Sequence, residues 1–255
     1  MRTYKSLSFV LTVCFLFCAA CGGEKTSQAT TNVASTTEPL KVATTTSAPE
    51  VLCADGGVCH MGDIGPGGGT IFFIDEDGVL GTRFFEVACV GWANGCDGSE
   101  DPEMEWGCND GTSDNQPKTT WGNGAGAENT KRVIKACPST KSAAQVVSEF
   151  STDSTKPGDW FLPSEEELNE LCKYVVDTEP KGMICSGGSE LKLGFLPEDY
   201  WSSSVQDEGE YRRTQLGQDF KYGMKTTGAC YKWDPLNDAS WWQCPKARVR
   251  PVRSF

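Results

Sequence analysis

Cysteine is the residue type with the most chemistry to offer here: there are 13 cysteines, against a single histidine. Cys14 and Cys18 lie within an N-terminal apolar run, and Cys21 follows it. The other ten are Cys53, Cys59, Cys89, Cys96, Cys108, Cys137, Cys172, Cys185, Cys230 and Cys244. An even number of cysteines in an exported chain reads as a disulfide framework. Zinc is disfavoured, because no two of the ten have the C-x-x-C spacing and His60 has no second histidine to join it. Three pairs close short loops and are expected as bridges: Cys53–Cys59, Cys172–Cys185 and Cys230–Cys244. Cys89, Cys96, Cys108 and Cys137 are then left to pair among themselves.

Acid–base and nucleophilic catalysis have little to work with. Any Ser-His-Asp or Cys-His arrangement would depend on His60, which sits between Cys59 and Met61 at the edge of the folded region. Paired carboxylates remain open, since a glycosidase needs only two of them about 5–9.5 Å apart. Acidic side chains more often form a solvated surface, and the reading is of a non-enzyme. The run Gly65-Pro66-Gly67-Gly68-Gly69-Thr70 resembles a phosphate cradle only loosely: it has no P-loop lysine and leads into a strand rather than from strand to helix. A tight lead-in to the strand is the expectation. Lys246, Arg248, Arg250 and Arg253 form a basic terminal stretch that either binds an anion or pairs with the surplus of carboxylates.

Eight tryptophans are candidates for core or for binding. Trp160 and Trp201 lie in strand-like contexts and are expected in the core. Trp92, Trp106, Trp121, Trp233, Trp241 and Trp242 lie among Gly and Asn, where an aromatic ring can stack on a sugar or anchor a partner. Trp241-Trp242 is the preferred ligand-binding pair, because neighbours on an extended segment point opposite ways.

The leader sets the compartment. Arg2 and Lys5 precede an apolar run, Leu7 to Ala20, that is too short to span a bilayer and reads as an export signal over residues 1–20. Phe17-Cys18-Ala19-Ala20-Cys21 resembles a bacterial lipobox, which makes Cys21 the lipid attachment site. The alternative is ordinary cleavage after Ala20 and free secretion. Residues 21–50, rich in Thr, Ser and Ala, read as an unordered tether with a span of roughly 30 Å. Losing Arg2 and Lys5 leaves 21 basic residues against 35 acidic, a net charge of −14. Such a surface repels phosphate backbones, so nucleic acid is excluded as a partner.

Residues 51–255 read as one domain. Strands are expected at Thr70 to Ile74, Phe84 to Val87, Asp159 to Leu162, Tyr200 to Ser204 and Ala247 to Phe255. One helical zone spans Asn129 to Phe150, broken at Pro138. A clearer helix runs from Ser164 to about Val176; Ser164 and Glu167 form a capping box, and Leu168, Leu171, Cys172 and Val175 form one apolar stripe. Two helices among short strands make an α+β fold.

Several segments together resemble the bacterial Lcl C-terminal-like domain, named for a collagen-like adhesin. They are Gly62 to Phe73, Glu128-Asn129-Thr130, Gly158 to Leu168 (G-D-W-F-L-P-S-E-E-E-L), Tyr200 to Ser204 (Y-W-S-S-S) and Val249 to Phe255. The resemblance covers residues 61 to 255. It implies a C-type-lectin-like fold, with two helices, short antiparallel strands and long disulfide-stapled loops, displayed outward on the cell envelope. It also implies that Thr70 to Ile74 lies antiparallel to part of Ala247 to Phe255, and that Cys230–Cys244 mimics the late disulfide of C-type lectins. In those lectins an Asn-Asp pair between two late cysteines binds calcium and sugar. Asn237-Asp238 occupies that place, although Leu236 stands where a Trp is usual; the alternative is an Asx-rich turn. Calcium is the only cofactor the resemblance suggests. The adhesin's sulfated-glycan ligands fit poorly with this acidity. The expected function is a non-enzymatic binding or adhesion module for a glycan or an envelope or host protein. It would touch the membrane only through its lipid and bind through the loops Cys89 to Trp121 and Cys230 to Cys244. The alternatives are an envelope glycan-acting enzyme using carboxylates and a purely structural lipoprotein.

Overall fold

In the computed structural model, the residues described are 51–107, 117–138, 141–177, 184–207, 213–228, 231–233, 241–243 and 245–255. Strand β1 (Thr70–Ile74) is a run of β-branched and aromatic residues, the composition a pleated, packed surface favours. It pairs antiparallel with β2 (Phe84–Val87). Ile71 and Phe72 point to opposite faces of β1, and both are buried. Ile71 packs against the Cys53–Cys59 bridge, and Phe72 packs in the cluster that includes Leu168, Leu171 and Val175.

Among the described residues three α-helices form rather than two. Helix α1 (Gly126–Ala136) ends before Pro138, and α2 (Ala143–Glu149) starts afresh from its own capping box, Ser142 with Gln145. The zone from Asn129 to Phe150 is not one continuous helix because Pro138 has no amide to donate and Ser142 supplies a new N-terminus. Helix α3 (Glu165–Val176) begins at the Ser164–Glu167 capping box and buries Leu168, Leu171, Cys172 and Val175.

A second sheet has the order β3-β9-β4-β5-β6. Its strands are β3 (Glu103–Glu105), β4 (Asp199–Asp207), β5 (Arg213–Asp219), β6 (Lys225–Gly228) and β9 (Lys246–Arg248). A separate hairpin pairs β7 (Tyr231–Trp233) with β8 (Trp241–Gln243). In β4 the register shifts between Trp201 and Val205, and the three serines inside the shift are fully buried. Each hydroxyl donates to a backbone carbonyl: Ser202 to Leu216, Ser203 to Pro163 and Ser204 to Thr120. A polar Y-W-S-S-S run thus becomes a core strand, with its side-chain donors satisfied.

The terminal stretch corrects two expectations. Ala247 to Phe255 is two strands in two sheets: β9 in the five-stranded sheet and β10 (Val252–Ser254) beside β2 in the order β1-β2-β10. The break falls at Pro251, which has no N–H for a ladder, while its carbonyl accepts from the Ala88 amide. β10 pairs antiparallel with β2, not with β1. β1 and β10 therefore share a sheet and run parallel, with β2 between them. β9 also meets β4 in a parallel bridge, Tyr200 with Arg248, so the strands are not all antiparallel. The strand expected at Asp159 to Leu162 reduces to a single bridge between Phe161 and Val252.

The fold is α+β and stapled. Cys53–Cys59, Cys89–Cys96 and Cys172–Cys185 are disulfides, and Cys137 is also disulfide-bonded. Cys108, Cys230 and Cys244 lie outside the described residues.

Candidate functional site

Several carboxylates are taken up by the fold itself. The glycine run wraps one of them. Glu86 on β2 is fully buried and accepts from the amides of Gly67 (3.1 Å) and Gly69 (3.1 Å), and Arg253 of β10 pairs with the same oxygen as Gly67. The loop thus does hold an anion through backbone N–H groups, but the anion belongs to the chain. Side chains at Gly65 or Gly67 would collide with that carboxylate, since a Cβ at either would lie within 2.4 Å of a Glu86 oxygen. Burial still raises the Glu86 pKa above its usual value, against the pull of Arg253 and the two amides.

The second is Asp101. It is buried with Arg250, whose Nε donates to both carboxylate oxygens at 2.6 Å. The guanidinium also donates to the carbonyls of Ala88 and Leu193 (both 3.2 Å), and it lies 4.2 Å from the centre of the Phe195 ring. Burial pushes Asp101 up to about 6 even so. Nearby, burial and the negative charge of Asp101 push the Tyr200 phenol above its ordinary range.

The third is Glu167. Its Oε1 accepts from Gly124 (2.8 Å) and Gly126 (3.2 Å), and its Oε2 accepts from Ser164 (2.8 Å). One carboxylate therefore caps α3 and ties down the start of α1. Burial pushes its pKa up to about 7 against those three amides. The capping box was legible in the sequence; the link to α1, 41 residues away, was not.

The basic terminal stretch is thereby assigned. Arg250 and Arg253 serve buried carboxylates, and Arg248 pairs with Glu198 (2.7 Å) and Glu100 (2.9 Å). None of the three is free to hold an external anion. Glu165, at the start of α3, is paired with Lys225.

What stays open is a surface groove of about 300 Å3 lined by Glu103, Glu198, Asp199, Asp219, Lys221 and Lys246 among others. Asp199 and Asp219 stand directly opposite each other on β4 and β5. Cross-strand neighbours put their Cβ atoms about 5 Å apart. Burial, then Asp219 and Glu198, raises the Asp199 pKa above its usual value. Asp219 is committed to its own turn, its Oδ1 accepting from the amides of Lys221 (2.7 Å) and Tyr222 (3.2 Å). Tyr222 is 60% exposed and lies beside the Lys221 ammonium, 5.0 Å from its ring centre. The groove thus offers carboxylate acceptors and an ammonium donor, and the exposed Tyr222 ring lies against that ammonium.

The expected site residues distribute as follows. Trp92 and Trp106 are core residues, 3% and 2% exposed, with indole N–H groups donating to Val249 and Ser202 carbonyls. Glycine-rich turns fold these loops back over the helices, which is why their sequence context looked exposed. Trp160 and Trp201 are also core. Trp121 is 47% exposed, its indole N–H fixed to the Val205 carbonyl. Trp233 and Trp241 are register partners in the β7–β8 hairpin, and Trp242 is opposite Lys232. Asn237 and Asp238 lie outside the described residues. Among the described residues there is no group of His, Cys, Asp and Glu able to hold a metal ion. His60 is exposed and contacts Asp63, its backbone N–H donating to the Asp63 carboxylate at 2.7 Å. The residues that sequence reasoning missed are Glu198, Asp199, Asp219, Lys221 and Tyr222. An Asp-x-x-x pattern at a hairpin was the only signal, and it reads equally well as a turn.

No family model matches this chain, and neither a curated protein nor a solved structure matches it. No helix among the described residues is long and apolar enough to cross a membrane.

Proposed function

We propose that the chain is a cell-envelope lipoprotein, acylated at Cys21, whose folded domain is a non-enzymatic module for binding a glycan. In this reading the domain belongs with the Lcl C-terminal-like domains and has their C-type-lectin-like fold, and the lipid holds it to the membrane facing outward.

The observation that carries the reading is the groove. β3, from the Cys89 to Trp121 region, pairs with β9, which begins two residues after Cys244. Glu103, from the first region expected to bind ligand, and Lys246, two residues past the end of the second, line one concavity with Asp199 and Lys221. Carboxylates accept from sugar hydroxyls, an ammonium donates to them, and an exposed aromatic ring stacks on the apolar face of a pyranose. With both charge signs on its walls, the groove suits a neutral or amino sugar better than a sulfated one.

Catalysis by carboxylates is the second reading, and one observation favours it: the raised pKa of Asp199 beside Asp219. Against it, the two carboxyls shifted furthest into the general-acid range, Asp101 and Glu167, are at most 1% exposed and cannot reach a substrate. A glycan array probed with the exported chain and with Asp199→Ala and Tyr222→Ala tests both readings. Binding of wild type to neutral glycans, lost at least about tenfold in each variant, is the expected result. Unchanged binding in both variants would move the site elsewhere, with Trp241→Ala and Trp242→Ala next to test. Release of a shortened glycan by wild type would replace the binding module with an enzyme. Repeating the titration with a calcium chelator tests the Asn237-Asp238 pair.

A further inference from the structure

Ten large apolar side chains are exposed among the described residues, and half of them fall within a single short stretch. They are Val51 (57% exposed), Leu52 (66%), Val58 (74%), Met61 (45%) and Ile64 (54%). Val51, Leu52, Val58 and Ile64 line a concavity of about 400 Å3 with Ala54, His60 and Asp63.

This surface is built rather than loose. The Cys53–Cys59 bridge closes the loop, and the Leu52 carbonyl accepts from both Asp55 (2.9 Å) and Gly57 (2.9 Å). Gly56 turns the chain with φ 88°, a conformation that favours glycine. The Asp63 carboxylate holds the His60 amide, and Ile64 bridges to Thr70 at the start of β1. Beneath, the two half-cystines pack on Ile71. A framework this well tied presents its apolar side chains outward at a fixed angle, at some cost in solubility.

We infer that this loop is a second membrane contact, an apolar foot that rests in the outer region of the bilayer carrying the lipid anchor. The inference rests on the proposed acylation of Cys21. Position argues for the bilayer as occupant. Residues 22 to 50 separate the anchor from Val51, so the loop stays within about 100 Å of the bilayer even with that chain fully extended. A tethered site meets its surface at high effective concentration, which adds to the affinity the loop has by itself. Charge argues for the kind of surface. No Lys or Arg lines the concavity, whereas Asp63 does. The lining itself therefore offers anionic headgroups no Lys or Arg to attract them. The contact depends on burying Leu, Val, Met and Ile, and it favours a zwitterionic surface.

The test uses the exported chain with Cys21→Ser, which carries no acyl group, floated with phosphatidylcholine vesicles in large lipid excess. The expected result is co-flotation that survives high salt and weakens on phosphatidylglycerol vesicles. Leu52→Asp with Val58→Asp should cut the bound fraction about tenfold while leaving the circular dichroism unchanged. Failure of Cys21→Ser to float, or equal flotation of the Asp variant, overturns the foot. So does a solution dimer of the Cys21→Ser chain that the Asp variant breaks, since the occupant would then be a second copy. The acylation itself is read separately, from the mass of the wild-type N-terminal peptide. An unmodified Cys21 would sink the lipoprotein reading, whatever the vesicles show.

Discussion

Replacing Glu167 by Gln probes the buried carboxyl that joins helices α1 and α3. Glu167 is fully buried, and its pKa is pushed up from 4.5 to about 7 by that burial. The folded protein thus holds this proton more tightly than the unfolded chain does. The stabilisation this gives is complete below about pH 4.5 and is lost as pH rises through about 7. At 1.36 kcal/mol per unit, the loss is of the order of 3 kcal/mol. Gln carries no such proton. Its carbonyl can still accept from Gly124 and Gly126, but its NH2 then faces the Ser164 amide, donor against donor. That mismatch costs about 1–3 kcal/mol. Glu167→Gln should therefore be the less stable protein at pH 4.5, and the two should converge or cross near pH 7.5. Asp101, raised to about 6, gives both proteins a residual slope of the same sign. Urea unfolding of both proteins across this range, with disulfides intact, is the assay. Parallel stability–pH curves for wild type and variant would refute the assignment of the raised pKa to Glu167.

Two further perturbations follow from the packed charges and glycines. Arg250→Met strands Asp101 in the core and should cost about 3–5 kcal/mol, whereas adding Asp101→Leu should recover most of it; thermal melts of the single and double variants decide. Gly69→Ala places a Cβ 2.6 Å from the Val87 carbonyl oxygen and 2.9 Å from the Trp160 ring, so the β1–β2 junction must shift, and a loss of about 1–3 kcal/mol in chemical unfolding is expected.

Local chemistry was legible in the sequence by itself. Ser164 and Glu167 announced the start of α3, and the stripe from Leu168 to Val175 announced its buried face, because capping and helical periodicity are determined by residues within one or two turns. β1 and β2 fall at Thr70–Ile74 and Phe84–Val87, where dense β-branched and aromatic residues placed them. The bridges Cys53–Cys59 and Cys172–Cys185 close short loops and needed no tertiary information. Pairings across long sequence separations were decided only by the tertiary structure. Pro251 divides the terminal stretch between two sheets, but nothing local shows that β10 joins β2 rather than β1. The arginines of that stretch looked like one basic face, and the folded chain sends Arg250 to Asp101 and Arg253 to Glu86, 149 and 167 residues away. Trp92 and Trp106 looked exposed among their glycines, and they are buried because loops fold back over a core formed by other segments. The groove is the extreme case. Glu103, Asp199 and Asp219 come from β3, β4 and β5, and they line one groove only once the five-stranded sheet has formed.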